Sequence, residues 1–259
     1  MNRSALVLPI LALFACSGES TDDTGTTGNE MMSFDLSIQF IDGALGSTIQ
    51  DAEICLLIPE GAEEPCETTN TMGRVNMTFE TSGYTDVLSR LTHEDYQTTL
   101  YTGRFDEEVH EGWTETLETS DTIEAVYWSF KSATVENYMA SGGLVMEDGL
   151  GHMFYWVGLD NSGTEGVVAT LENEDGESVG QVAYQAANTA VLDADLTATT
   201  TAGWFSIINI EPGEYTLTVS HDEQTCESGF AYISDVPDTV TVPVEADSVT
   251  MGTLLCSAE

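Results

Sequence analysis

Groups capable of acid–base or metal chemistry are present in this chain, but none falls at a recognisable catalytic spacing. The four histidines stand apart, so no HExxH, HxH or HxxxH pair can offer two imidazoles to a metal. A GxSxG nucleophile elbow is absent, and Lys131 follows no glycine-rich phosphate loop. We therefore expect no catalysis, cofactor or metal site. The histidines are His93, His110, His152 and His221.

Carboxylates are too abundant for their spacing to be informative. The chain has 45 Asp and Glu against 5 Lys and Arg. A hydrolase with a dispersed carboxylate site stays open as a third hypothesis, although no pair stands out. Residues 172–177 superficially resemble a calcium loop but lack the later glutamate of an EF-hand, so we predict a polar β-turn. Asp193 and Asp195 are interpreted in the same way.

The charge balance limits the possible partners. With a formal net charge of −40, the chain should repel nucleic acid, and no nucleic-acid partner is expected. Such a surface is typical of a soluble protein in a salty or crowded exterior, and diffuse calcium binding is the alternative. Hydrophobic residues make up 41% of the 259 residues, which is enough for packed cores.

Four tryptophans offer a binding chemistry, because indole rings stack on sugar rings. For Trp128 and Trp156 we prefer burial in a core, since one lies in an amphipathic pattern and the other in an apolar strand. Trp204 precedes Phe205, which should face inward. Trp204 should therefore face outward and is the candidate ligand residue, while Trp113 gives no further indication.

The elements that would position these residues are most clearly marked in residues 199–220, TTTAGWFSIINIEPGEYTLTVS. Phe205 and Ile207 share one face of a predicted strand, a Pro-Gly corner follows, and residues 215–219 alternate as a second strand. Two strands cannot bury their apolar face alone, so a second sheet is implied. The run T-x-x-G-x-F-x-I-x-x-I-x-P-G-x-Y-T-L-T-V resembles the carboxypeptidase regulatory-like, transthyretin-like β-sandwich module of bacterial surface proteins. That resemblance implies a fold without a catalytic residue.

A more degraded copy of the module precedes this one. Residues 33–40 alternate as a strand, and residues 49–57 resemble the second strand of the family. Residues 68–79 match its T-x-x-x-G-x-x-x-x-x-F segment, with Met72-Gly73 as a turn. We therefore predict a mainly β fold of two transthyretin-like or immunoglobulin-like β-sandwich modules, at residues 31–120 and 148–259.

A helical connector is predicted between the modules, at residues 121–147. Apolar residues recur there at helical spacing, Asp121 with Glu124 resembles a capping box, and Gly142-Gly143 would end the helix. A strand over residues 125–130 is the alternative, because β-branched and aromatic residues cluster in it. The apolar positions are Ile123, Val126, Tyr127, Phe130, Thr134 and Tyr138.

The first residues resemble a bacterial lipoprotein signal. A basic start and an apolar run of ten residues, too short to span a bilayer, end in Leu13-Phe14-Ala15-Cys16, which is similar to a lipobox. The resemblance implies a signal peptide at 1–15, a lipid on Cys16 and a membrane partner through it. Residues 16–30 are predicted to be a flexible acidic tether, and Ser17 suggests sorting to the outer membrane. An ordinary secretory signal is the alternative.

Four of the five cysteines remain to pair in this oxidising location. Three connectivities are possible, and the module boundaries favour Cys55 with Cys66 and Cys226 with Cys256. A zinc site is the alternative, but no CxxC spacing is present.

Together these features predict a non-catalytic, lipid-anchored envelope protein for surface display, adhesion or structure. A carbohydrate- or calcium-binding recognition module is the alternative. A surface glycan or a protein is the expected partner.

Overall fold

The computed structural model describes residues 32–57, 65–81, 85–105, 122–159, 162–230 and 238–258. This part of the chain is mainly β, as predicted, with a single short helix. The helix is α1 (Ser132–Ser141). The strands are β1 (Met32–Asp42), β2 (Glu53–Leu57), β3 (Cys66–Thr68), β4 (Arg74–Thr81), β5 (Thr85–His93), β6 (Tyr96–Phe105), β7 (Thr122–Ser129), β8 (Gly151–Leu159), β9 (Ser162–Gly163), β10 (Val168–Glu172), β11 (Gln181–Gln185), β12 (Leu192–Asp193), β13 (Trp204–Ile210), β14 (Gly213–Ser220), β15 (Gln224–Phe230), β16 (Thr239–Val244) and β17 (Ser248–Ala258).

The strands form two three-stranded sheets and one long sheet. The short sheets have the orders β4-β1-β7 and β10-β14-β16, and the long sheet runs β12-β11-β13-β8-β17-β6-β5-β2-β3. A first core joins β4-β1-β7 and α1 to one face of the long sheet, and a second core joins β10-β14-β16 to the other face. Alternation along β8 shows the division, because Phe154 belongs to the first core and Tyr155 to the second.

The alternating patterns form strands where they were predicted. Leu36, Ile38 and Phe40 of β1 are buried in the first core. The corner after β13 takes the chain from the long sheet to the short sheet that contains β14, so the two strands of the signature run face each other across the second core. β16 is an edge strand, as expected for a strand that contains Pro243, a residue without an N–H group, and Pro243 lies on its less buried face.

The two halves of the structure repeat one arrangement. β1 lies between antiparallel β4 and parallel β7, and β8 lies between antiparallel β13 and parallel β17. The registers also correspond, since Ile38 pairs with Val75 and Tyr155 pairs with Phe205. Opposite them, β2-β5-β6 and β10-β14-β16 have the same antiparallel order.

A buried threonine makes the same hydrogen bonds in each half, at Thr69 and at Thr199. The Thr69 hydroxyl donates to the Ile49 carbonyl at 2.8 Å and accepts from the Ala52 N–H at 3.0 Å. The Thr69 N–H donates in turn to the Ala52 carbonyl at 2.9 Å. Thr199 makes the corresponding bonds, at 2.6 to 2.9 Å, to Thr164 and Val167.

A glycine follows each of these threonines at the fourth position. Gly73 has φ of +68° and Gly203 has φ of +72°, a left-handed conformation that disfavours other residues. The threonine and the glycine together account for the T-x-x-x-G spacing in both halves. The threonine closes the loop before the strand and the glycine turns the chain into it.

Replacing Thr199 with valine is expected to lower the free energy of unfolding by about 2–4 kcal/mol. Valine has the same shape but leaves the Val167 N–H and the Thr164 carbonyl buried without that partner. Thr199→Ser, which keeps the hydroxyl, is the matched control and should lose less. Urea unfolding measures both, and equal losses in the two variants would contradict the hydrogen-bonding role.

The long sheet is continuous because β17 is shared. β17 runs parallel to β8 along one edge and parallel to β6 along the other, and its later residues pair with β15. Met251 is thus opposite Phe154 on one side and Tyr101 on the other. The last strand of the chain therefore joins both halves, while the module limits at residues 120 and 148 stay predictions.

The helix is shorter than predicted. Residues 122–129 form β7, so the helical interpretation is wrong there and the strand alternative is correct. Tyr127 and Ser129 are buried whereas Val126 and Trp128 are exposed, a period of two, and parallel pairing with β1 satisfies the backbone. The helix begins at Ser132, and the predicted stop at Gly142 and Gly143 follows it.

Two disulfides join the cysteines as predicted. Cys55 is bonded to Cys66 across β2 and β3, and Cys226 to Cys256 across β15 and β17. Among the described residues there is no helix with the length and apolar character that a bilayer span requires. The predicted signal peptide, Cys16, the tether at 16–30, Asp121 and Trp113 lie outside the described residues.

Candidate functional site

A groove of about 600 Å³ opens beside β7, the edge strand of the short sheet β4-β1-β7. The sheet β4-β1-β7 is narrower than the long sheet that it faces. Beyond β7, one face of β17, β8 and β13 therefore has no facing strand in the described part of the chain. α1 packs farther along that face, where the Tyr138 ring contacts the Phe154 ring at 5.8 Å. We call the opening the aromatic groove; its lining residues are Tyr101, Val126, Tyr127, Trp128, Trp156, Trp204, Met251, Gly252, Thr253 and Leu255.

Trp204 and Trp156 are direct neighbours across the strands that form one side of the groove. Trp204 on β13 pairs with Trp156 on β8, and Trp156 pairs with Thr253 on β17. Adjacent strands are about 4.8 Å apart, so the three side chains form a row on one face of the sheet. Trp204 is half-buried and lies opposite Phe205, which is buried in the second core. The alternation is the one that the sequence predicted, but the face that carries Trp204 is not a free surface, because Trp204 packs against the first core.

The indole of Trp156 is held against the sheet. Its Nε1 donates a hydrogen bond to the Ala202 carbonyl at 3.2 Å. Its ring covers Gly158, where an added methyl group would come within 2.4 Å of the indole Cζ2 atom. Trp156 is therefore packed against the backbone at Gly158, and it also lines the groove. Burial of Trp156 in a core had been preferred from the sequence, but Trp156 is only half-buried.

Trp128 approaches the groove from the other side, on β7. It is 46% exposed, so the prediction of a buried Trp128 is wrong. That prediction depended on a helix, in which residue 128 would share a face with apolar neighbours. In β7 the side chains alternate, and Tyr127 takes the inward position.

The floor of the groove is formed by two stacked tyrosines. The rings of Tyr101 and Tyr127 are 4.2 Å apart and nearly parallel, at 9°. The Tyr101 hydroxyl donates to the Met251 Sδ atom at 3.5 Å. Burial raises the pKa of both phenols above its ordinary value, and the neighbouring ring adds to the effect on Tyr101. Both are therefore neutral, and none of the described residues that line the groove carries a charge.

Several of the described acidic residues stabilise turns. Asp42 is buried at the end of β1, and its Oδ1 accepts from the N–H groups of Ala44 and Leu45 at 2.9 and 3.0 Å. Its Oδ2 accepts from the Tyr96 hydroxyl at 3.0 Å. Burial, together with this bond to Asp42, raises the pKa of Tyr96 to about 12. Asp42 thus has a structural role that explains its burial.

The predicted acidic loops are turns as well. Asn173 Oδ1 accepts from the N–H groups of Asp175 and Glu177 at 3.1 and 2.9 Å, which confirms the polar turn before β11. Asp193 Oδ1 accepts from the Asp195 N–H at 3.0 Å. In the described residues no three His, Cys, Asp or Glu side chains come together as a metal site would require.

His152 is buried beside a second cavity, of about 520 Å³. Its Nδ1 accepts from the Asn209 N–H at 3.3 Å. The Asn209 side chain also bonds the Val145 carbonyl and the Glu147 N–H, at 2.9 and 3.0 Å, and so holds the segment before β8. Burial lowers the pKa of His152 to about 4, although Asp247 opposes the shift. His152 is a neutral hydrogen-bond acceptor within this structure.

Stability is expected to fall as the pH drops from about 6.5 towards 4 because of His152. The unfolded chain takes up a proton below its ordinary pKa, whereas the folded protein excludes it until the lowered value is reached. Between these two pH values the free energy of unfolding falls by about 3 kcal/mol in total. His152→Asn keeps an acceptor for the Asn209 N–H without the titration. The free energy of unfolding in urea is measured against pH for both proteins, and their difference removes the contribution of the carboxylates that both contain. Identical pH profiles would contradict the assignment.

Comparison with known proteins gives weak likenesses. No family model matches the chain, and no curated protein matches it. Among solved structures it is similar to the Bacillus anthracis TIE protein, with TM-score 0.30, 14% identity, and coverage of 87% of this chain and 34% of that one. GBS52, the minor pilin of Streptococcus agalactiae, has TM-score 0.30, 13% identity and coverage of 87% and 96%. Shaft pilin spaA from Lactobacillus rhamnosus GG has TM-score 0.26, 11% identity and coverage of 88% and 99%.

This chain therefore spans about a third of the length of the TIE protein. TM-scores of this size support no argument about function. What the chain does has to be inferred from its own residues.

Proposed function

We propose that this chain is a non-catalytic protein displayed on the cell envelope, where it serves adhesion, display or envelope structure. The observation that supports this best is the use of its polar groups. In the described residues, buried Asp42 holds a turn and buried His152 accepts a backbone hydrogen bond. The described residues that line the aromatic groove, by contrast, include no charged group that could act as a general acid or base.

The second part of the proposal is a lipid anchor on Cys16. The supporting feature is the order of residues at the start: a basic n-region, an apolar run, Ala15 before Cys16, and then a polar stretch to Glu30. Acyl chains on Cys16 would hold the protein at a membrane, since each buried CH₂ adds about 0.8 kcal/mol. Repulsion between an anionic membrane and a body of net charge −40 would keep the folded part away from the surface. We place the anchor in the outer membrane because Ser17, not Asp, follows the cysteine.

We also propose that both halves are carboxypeptidase regulatory-like, transthyretin-like modules. The signature run supplied the resemblance, and the repeated threonine and glycine geometry at Thr69 and Thr199 supports a common origin for the two halves. Modules of this kind are companions to enzymes and are not enzymes themselves, in agreement with a non-catalytic role.

Cys16→Ser is expected to release the exported protein from membranes. Without the thiol there is no site for the lipid, and in this proposal the lipid on Cys16 is what holds the wild type at the membrane. After carbonate washing and Triton X-114 partition, wild type should stay with the membrane and detergent, and the variant should not. Ser17→Ala is the matched control and should partition as the wild type does. Wild type that is soluble without detergent would contradict the anchor.

A recognition role has a specific observation in its favour, the meeting of Trp128, Trp156 and Trp204 at one groove. This favours the carbohydrate-binding alternative over the calcium-binding one, because aromatic rings and not grouped carboxylates line the site. The ligand class follows from the geometry of these rings and is argued below.

A further inference from the structure

We infer that the aromatic groove binds a neutral saccharide, whose sugar rings stack on Trp156 and Trp204. The inference names the ligand class for the recognition role proposed above and rests on that role. It also adds Trp128, Trp156 and Thr253 to the single residue, Trp204, that the sequence indicated.

The first argument is the shape of the surface. The Trp156 indole packs against Gly158, is fixed by its bond to the Ala202 carbonyl, and lines the groove. Trp204 adjoins it in register on the neighbouring strand. The C–H face of a pyranose ring is apolar and flat, and it packs on an indole face as aromatic rings do. Two indoles side by side extend this surface across two strands, which suits an oligosaccharide better than a single sugar.

The second argument is the supply of hydrogen-bonding groups around the rings. Among the described residues, the indole N–H groups of Trp128 and Trp204 and the Thr253 hydroxyl have no hydrogen-bond partner. These three residues line the otherwise apolar groove, where sugar hydroxyls need partners when the ring is stacked. A site with apolar walls and a few convergent polar groups is typical of small-ligand recognition.

The third argument is charge, which excludes other occupants. The described lining of the groove is uncharged on a chain of net charge −40, so a polyanion is repelled before it reaches the site. A second copy of the chain would bring the same −40 and meet the same repulsion. A neutral ligand meets no such electrostatic repulsion. Uncharged sugars also have the flat, hydroxylated shape described above.

The experiment uses the full-length chain and a panel of neutral hexasaccharides with one anionic counterpart. The probes are cellohexaose, maltohexaose, xylohexaose, mannohexaose and hexa-N-acetylchitohexaose, with hexagalacturonate as the anion. Calorimetry and tryptophan fluorescence are the readouts. We expect at least one neutral probe to bind with Kd below about 1 mM and hexagalacturonate not to bind.

Variants assign the binding to the groove. Trp204→Ala and Trp128→Ala should each weaken the bound probe by about tenfold, and Trp204→Phe should weaken it less because a ring remains. Leu45→Ala changes a residue that is 71% exposed and absent from the groove lining, and should bind as wild type does. Thermal unfolding of each variant separates lost binding from lost folding. Trp128→Ala is the critical variant, since Trp128 is exposed and its loss should leave the fold intact.

Three results would overturn the inference. These are no binding of any neutral probe at about 1 mM, binding that Trp204→Ala and Trp128→Ala leave unchanged, and tighter binding of hexagalacturonate than of neutral probes. A wild-type chain that self-associates through these tryptophans, as seen by sedimentation, would instead identify a protein interface. Membrane fractionation is independent of all of these, so an anchored wild type that binds no sugar refutes only the ligand assignment.

Discussion

Replacing both Cys226 and Cys256 with alanine is expected to lower the free energy of unfolding by about 4–5 kcal/mol. The two cysteines are 30 residues apart, and closing such a loop in the unfolded chain contributes about 4 kcal/mol in the chain-entropy model. Both side chains are also buried in the second core, at 1% and 2% exposure, so removing the sulfurs leaves space that the core must fill.

The other disulfide provides the matched comparison. Cys55 and Cys66 are 11 residues apart, and Cys66 is exposed at the edge of the long sheet. Cys55→Ala with Cys66→Ala should therefore lose about 3 kcal/mol, mainly from loop closure. Urea unfolding of the two double variants under non-reducing conditions measures the difference. A larger loss for the pair at 55 and 66 would show that burial and loop length do not determine the ranking.

Removing the last strand is expected to unfold both halves. β17 pairs with β8 and β15 of the second half and with β6 of the first half. Val249 and Met251 lie in the first core, and Leu254 lies in the second. A chain that ends at Asp247 loses these contacts from both cores together and exposes the edge of β6. Amide hydrogen exchange should show protection lost in β2 and β5 as well as in β10 and β14.

A substitution confined to the second core is the control for that truncation. Leu254→Ala should cost about 2–5 kcal/mol and leave a folded chain at room temperature. Because the long sheet is continuous, the Leu254→Ala variant should show the same unfolding midpoint for probes in either half. Protection retained in β2 and β5 after truncation would mean that the first half folds without β17.

The strands could be predicted from the sequence wherever burial on one face imposes a period of two. Leu36 and Ile38 in β1, or Val240 and Val242 in β16, are buried by their alternation alone. β7 was assigned to a helix because Tyr127, Phe130 and Thr134 are three and four residues apart, a helical spacing that continues across the boundary between strand and helix. Parallel pairing with β1, about ninety residues earlier in the chain, decides the outcome there, and no local pattern contains that information.

The candidate site was only partly predictable for the same reason. Trp204 could be assigned to the face of its strand opposite Phe205, because Phe205 beside it had to face a core. Its meeting with Trp156 depends on the register between β13 and β8, and with Trp128 on the place where the short sheet ends. The cluster of β-branched and aromatic residues at 125–130 was the signal for a strand, but it does not show which face carries Trp128, since Val126 and Trp128 are exposed and Ser129 is buried. The disulfides were easier, since each pair joins adjacent strands of one half.

The position of β1 has a mechanical consequence. The chain enters the described fold at Met32, directly into β1, which is the middle strand of its sheet with β4 and β7 as neighbours. A pull on the residues before Met32 acts along β1 and loads its hydrogen bonds to both neighbours in shear. Bonds loaded in shear must fail together, whereas an edge strand pulled sideways releases them one after another. Forced unfolding is governed by the height of that barrier, so this entry point favours resistance to tension over ease of unfolding.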